Sequence, residues 1–275
     1  MLKFKYLLIA FSVLAVVILV LSMFIPVLLS GVSGSLFSIN LWYITLPLLI
    51  FMVLLLVFMS VFFFTNYKLL SLLEKEDWPA LAFYLENKIY TKGRYTSRNV
   101  RLLASSYLVI SDYQSVLKLE NKTQTVNPGA VSKNTLVFGA ARILSGNHSD
   151  AVSFYKSNLD KCRKREQEWV RWFAGFSQIL SGAFAEAESE FMSMAVSSRN
   201  VIITGLCAYF LNSTIEKKSA NSEKCRQVSE SGKKRVKDAL KNAGDWKKET
   251  GKAGNEIHIA VIRKYIDEAG KFIFA

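Results

Sequence analysis

No aspartate, glutamate, lysine or arginine occurs between Tyr6 and Tyr67. That absence excludes a water-facing surface for the stretch, because soluble folds keep charged side chains at their solvent boundary. Cysteine is scarce: Cys162, Cys207 and Cys225 have no metal-ligand spacing, and an odd set cannot all pair. A disulfide framework and a zinc site are therefore not expected, and the thiols suit a reducing compartment. The two histidines, His148 and His258, are far apart, which leaves no paired acid and base. Gly251-Lys252-Ala253-Gly254 lacks the spacing and the preceding strand of a phosphate-binding loop. No catalytic constellation, cofactor site or metal site is expected, so the chemistry to look for is binding.

The uncharged stretch contains long apolar runs. Residues 7–29 and 41–65 are each long enough, at about 1.5 Å rise per residue, to cross a hydrocarbon core of about 30 Å. Between them, 30–40 is rich in Gly and Ser and reads as a short turn on the far side. Pro26 and Pro47 fall near the outer ends of the spans. Trp42 and Tyr43 at one border, and Tyr6 and Tyr67 at the other, fit interfacial anchors. A cleaved signal peptide is the rival reading of residues 1–30, but the apolar run is long for one and the small-residue cleavage pattern is weak. Lys3 and Lys5 precede the first span, Lys68 and Lys75 follow the second, and the link has no charge. The positive-inside rule then places both termini in the cytoplasm, on a plasma or inner membrane crossed twice.

Charge is concentrated in the remainder. All 22 acidic side chains, and all of the 35 basic ones except Lys3 and Lys5, lie beyond Tyr67. The excess of positive charge points to acidic partners: anionic lipid, an acidic protein segment or nucleic acid. Nucleic acid is the least expected, since no recognition module or interleaved aromatics are present.

Self-comparison gives the organisation. Asp77-Trp78-Pro79-Ala80-Leu81, Asp112-Tyr113-Gln114-Ser115-Val116, Asn147-His148-Ser149-Asp150-Ala151 and Ala183-Phe184-Ala185-Glu186-Ala187 align at steps of about 35 residues. Each follows a turn residue: Glu76, Ser111, Gly146 or Gly182. Upstream of the last three turns lie matching helices with a small residue at one register, Ala104, Gly139 and Gly175, where two helices must come close. Downstream each unit carries an apolar stripe: Leu81 with Leu85, Val116 with Leu119, Ala151 with Tyr155, Ala187 with Phe191.

This pattern over residues 67–200 resembles the tetratricopeptide repeat. The mid-helix small residue, the turn Gly at Gly146 and Gly182, the aromatic near the turn at Trp78, Tyr113 and Phe184 (His148 takes its place in one unit), and the Ala at Ala151 and Ala187 carry the resemblance. Ser111 and Glu76 depart from the turn Gly, Arg142 and Gln178 stand where the family has Tyr, and the closing Pro is missing. With the apolar segment, the plan is similar to HemY-type bacterial membrane proteins. The resemblance implies an all-α fold: a transmembrane helical hairpin (1–66), a tetratricopeptide-like α-solenoid (67–200), and a capping helix with basic and C-terminal helices (201–275). It also implies a groove lined by the first helix of each unit. By register, Arg98, Arg101, Lys133, Trp169 and Trp172 line it and form a cradle for an acidic or C-terminal peptide segment of another protein.

A second candidate surface is the stretch Lys233, Lys234, Arg235, Lys237, Trp246, Lys247 and Lys248, suited to anionic lipid. Glu230, Asp238, Asp245 and Glu249 dilute its charge, as in a solvated helix. Cys162 has basic neighbours, Lys161, Arg163, Lys164 and Arg165, that would lower its pKa if they face the sulfur. His148 and His258 read as packing residues. Residues 256–274 form an amphipathic helix expected to fold back on the domain. The resulting expectation is a membrane-anchored adaptor or scaffold, with a structural subunit of an envelope assembly or an accessory of a membrane enzyme as alternatives.

Overall fold

The computed structural model describes residues 9, 11–13, 15–21, 24, 34–254 and 256–275. Among them all regular structure is helical. The chain divides into two units, Met1–Tyr84 and Leu85–Ala275.

In the first unit the expected span at 7–29 is helical where it is described, and the rest of it, with residues 30–33, lies outside the described residues. Helix α1 spans Gly34–Glu74, 41 residues, with Pro47 inside it. The expected turn at 34–40 is thus helical instead. Its Gly and Ser read as a turn, but Leu36, Phe37, Ile39 and Leu41 continue the apolar run, and a nucleated helix extends at little cost per residue. Within α1, Ile50–Glu74 is the one helix among the described residues long and apolar enough to cross a membrane. Much of its apolar surface is exposed: Phe51, Leu54, Phe58, Val61 and Phe64 all face outward, while Met52, Leu56, Met59 and Phe63 form a half-buried stripe. The Phe11 ring lies 6.4 Å from Phe63. After the turn at Glu76 comes α2, Trp78–Glu86.

The second unit opens with a wide helical turn, Asn87–Thr91. There follow α3 (Ser97–Val109), α4 (Tyr113–Val126), α5 (Pro128–Ser132), α6 (Thr135–Leu144), α7 (His148–Asn158), α8 (Gln167–Leu180), α9 (Phe184–Ser197) and α10 (Val201–Phe210). The chain ends in α11 (Ser222–Ala239), α12 (Ala243–Ala253), α13 (Ile257–Val261) and α14 (Arg263–Phe274). Helices pair in order: α3 with α4, α6 with α7, α8 with α9, α10 with α11. The first helices α3, α6, α8 and α10 also lie each against the next. Such pairs cannot bury their apolar stripes alone, which is why they stack on neighbours.

The four turns are built alike. Glu76, Ser111, Gly146 and Gly182 all have positive φ, from 54° to 82°. In each case the next N–H reaches back to a carbonyl five residues earlier: Asp77 to Leu72 at 3.2 Å, Asp112 to Tyr107 at 2.9 Å, Asn147 to Arg142 at 2.9 Å, Ala183 to Gln178 at 2.8 Å. This closure satisfies a carbonyl that the helix end leaves without a partner. Asp77 and Asp112 add side-chain caps, accepting from the Ala80 and Ser115 N–H groups.

The small residues mark close approaches. A Cβ on Gly139 would lie 2.1 Å from the Tyr155 ring, and one on Gly175 would lie 2.5 Å from Phe191. Both rings come from the second helix of the same pair. Around Gly175 the core is aromatic: Trp172 stacks on Phe176 at 5.2 Å and on Phe191 at 6.0 Å, with Phe173 and Phe210 at its edges. Burying each such ring stabilises the fold by about 1.5–3 kcal/mol. Arg142 ties three helices together, donating to Glu120 of α4 at 2.6 Å and to Asp150 of α7 at 2.7 Å, while its guanidinium covers the Phe154 ring.

Candidate functional site

The face formed by α3, α6, α8 and α10 is covered by the chain's own C-terminal segment. Arg101 of α3 pairs with Glu256. Helix α13 packs on α6. The His258 ring lies 5.6 Å from Trp169 and 5.9 Å from Phe173, both on α8. Tyr265 follows on α14, 5.3 Å from Phe176 and 5.2 Å from Phe210. Tyr209 of α10 donates to the Glu268 carboxylate at 2.7 Å and touches Phe272. Residues 256–272 therefore cross four successive first helices, as the helices α13 and α14. The segment behaves as a tethered occupant of that face.

Burial, and then the charge of Arg101, push His258 down to about 3, so its ring is neutral at ordinary pH. Its Nδ1 has no hydrogen-bond partner among the described residues. The Arg101–Glu256 pair stays about one-third to two-fifths exposed. An ion pair so placed contributes at most about 1 kcal/mol. The segment's contacts here are apolar packing plus an exchangeable charge contact.

The structure separates the residues expected to form the groove. Trp172 is 0% exposed and lies inside the aromatic core, and Trp169 is 8% exposed beneath His258. Trp172 is closed to an incoming peptide because it is the core of its own pair, and Trp169 is closed wherever His258 covers it. Arg101 is occupied by Glu256. Arg98 and Lys133 are exposed and form no ion pair among the described residues.

The second candidate surface also changes. Trp246 is 3% exposed, wedged between Gly205 and Gly270, and its Nε1 donates to the Ile266 carbonyl at 3.2 Å. It is a core residue that holds α12 on α10 and α14, not a lipid anchor. Arg235 donates to the Ala195 and Ser198 carbonyls and so caps the end of α9. Lys233 lies 4.7 Å above the Phe272 ring. Lys234, Lys237, Lys247 and Lys248 remain exposed. Cys162 is buried, and its thiol is pushed up by burial and by Glu166, opposite to the activation that its basic neighbours implied. Those neighbours turn to solvent or, like Arg163, to Glu166.

Glu256 and Glu120 carry contacts that local reading does not reveal. Glu256 meets a partner 155 positions away, and no spacing rule reaches that far. The available signal was the amphipathic pattern of 256–274, which announces a helix face needing a cover.

The family model described as "Uncharacterised Treponema protein" matches residues 115–275. The chain belongs to this family. An uncharacterized protein of Treponema pallidum (strain Nichols) is 29% identical over 170 residues, covering 61% of this chain and 54% of its own length. The chain thus spans about half the length of that relative. The region matched by the Treponema family model contains α6, α8 and α10 together with the C-terminal segment that covers them, and leaves out the apolar helix.

Proposed function

We propose that this protein is a non-catalytic, membrane-anchored adaptor built on a tetratricopeptide-like solenoid, which holds partner proteins at the cytoplasmic face of the membrane. In this reading the anchor is a two-span hairpin of the HemY-type plan, with both termini and the helical pairs in the cytoplasm. The observation that carries it is the covered face: four consecutive first helices present one continuous surface, and a helical segment with an acidic residue at its start already lies across it. That segment defines the chemistry the face accepts. A carboxylate meets Arg101, a flat ring meets Trp169 and Phe173, and the apolar helix α13 packs on α6. A partner peptide with the same order of groups would compete for the stretch held by Glu256–Val261, with Arg98 and Lys133 as free cations at its border.

The test is partner capture by the full chain in mild detergent, beside the variant Arg101→Glu, Lys133→Glu. Both positions are at least partly exposed, so the variant keeps its helical circular dichroism. A partner held by the natural chain and lost by the variant supports the adaptor reading. Equal capture by both, or none by either, removes it and favours a structural subunit whose outer surfaces make the contacts.

A further inference from the structure

The first turn of the second unit carries a basic surface of its own. From Asn87 to Ser111 the chain has Lys88, Lys92, Arg94, Arg98 and Arg101, and no aspartate or glutamate. The C-terminal basic stretch, by contrast, alternates with acids. Lys92, Arg94 and Arg98 are exposed, and none of them forms an ion pair among the described residues. Arg101, Arg142 and Arg171 each have a glutamate partner. The nearest preceding acid, Glu86, is engaged by the Tyr107 hydroxyl at 2.6 Å.

The backbone under these cations is held in place. Asn99 donates to the Arg94 carbonyl at 3.0 Å, Asn127 to that of Tyr95 at 2.9 Å, and Asn134 to that of Ser97 at 3.0 Å. Asn99 and Asn134 are buried. Gly93 takes the left-handed conformation at φ 63°, with open space around it. The rings of Tyr90 and Tyr95 meet edge to face at 6.3 Å, and the Lys122 ammonium lies 4.5 Å from the centre of Tyr90. A hydrogen-bonded backbone thus displays exposed cations beside two amphipathic rings. The crowding is felt by Lys88, whose pKa is lowered by burial and by Arg94, Arg98 and Lys92.

We propose that the turn from Lys88 to Arg98 is a contact surface for anionic phospholipid headgroups, an inference that rests on the membrane anchoring proposed above. The cations sit on an open turn, which suits an extended sheet of charge better than one small anion. Tyrosines beside cations match the composition of a bilayer interface, where the ring lies at headgroup level. Each basic residue near an anionic leaflet adds about fivefold to partitioning. A tether in the same chain multiplies this by supplying a high effective concentration.

The experiment uses the full chain with Thr91→Cys labelled by a polarity-sensitive dye. Thr91 is exposed, while Cys162, Cys207 and Cys225 are buried and do not compete for the label. The protein is placed in nanodiscs of phosphatidylcholine alone, or of phosphatidylcholine mixed with phosphatidylglycerol. The expected result is a blue shift and a several-fold loss of quenching by an aqueous quencher in the anionic discs only. High salt reverses it, and the added changes Lys92→Glu, Arg94→Glu and Arg98→Glu abolish it. Equal quenching in both discs overturns the inference while leaving the anchor intact. A response to added heparin in neutral discs, with none to phosphatidylglycerol, also overturns it and assigns the turn to a soluble polyanion. Failure of the chain to enter either disc removes the anchoring reading itself.

Discussion

Helices α1 and α10 are both dominated by apolar residues, yet they meet opposite fates. In α10, Ile202, Ile203, Leu206, Cys207, Ala208 and Phe210 are buried, and Asn200 caps the start of the helix by accepting from the Ile202 and Ile203 N–H groups. In α1, Phe58 and Phe64 point outward, and between Ile50 and Glu74 most side chains are exposed or half-buried, with Leu69 the buried exception. Composition does not distinguish them; length and neighbours do. Ten residues are too few to cross a bilayer but enough to fill the centre of a helical stack. A helix that is apolar on every side must otherwise find either protein or lipid around it.

The comparison can be broken first at the core. Trp172→Ala removes the ring on which Phe176 and Phe191 stack, and should destabilise the second unit by about 3–5 kcal/mol, seen as a lowered thermal midpoint by circular dichroism. An unchanged midpoint would mean that the aromatic cluster does not hold α8 to its neighbours. Next in size, Leu54→Arg should oppose membrane integration by about 2.5–3.5 kcal/mol, measured by carbonate extraction from membranes, while the midpoint of the second unit stays where it was. If extraction is unaffected, α1 is not a span. The smallest effect sharpens the role of the covering segment. His258 is held neutral when folded, with a pKa of about 3 against 6.5 when free. Between those values the unfolded chain binds the extra proton, so stability from this group is present above about pH 6.5 and is lost as pH falls toward 3. His258→Leu should flatten that slope in denaturant titrations, and a slope equal to that of the natural chain would mean the ring is not enclosed by Trp169 and Phe173.

The helix ends were legible because their signals are local. The spacing located all four turns, including those at Ser111 and Glu76, which take positive φ without the glycine that usually relieves its steric cost. Gly139 and Gly175 announced close approach because no other residue leaves room for Tyr155 and Phe191. The groove was misjudged for a different reason. Register correctly put Trp169 and Trp172 on a first helix, but a helix has several sides, and which one is covered depends on chains that arrive from elsewhere. Trp246 shows the same limit: lysines around it in sequence suggested a surface, while Gly205 and Gly270, remote in sequence, form the slot that receives it.

The sequence by itself determined the apolar segment, the helical class and the four turns, because each follows from hydrophobic periodicity or from backbone conformation within a few residues. The tertiary structure decided which aromatics became core, that Glu256 reaches Arg101, and that the C-terminal helices cover the face of the stack. Those outcomes depend on contacts between distant segments, whose free energies arise from area buried jointly by both and are encoded in neither alone.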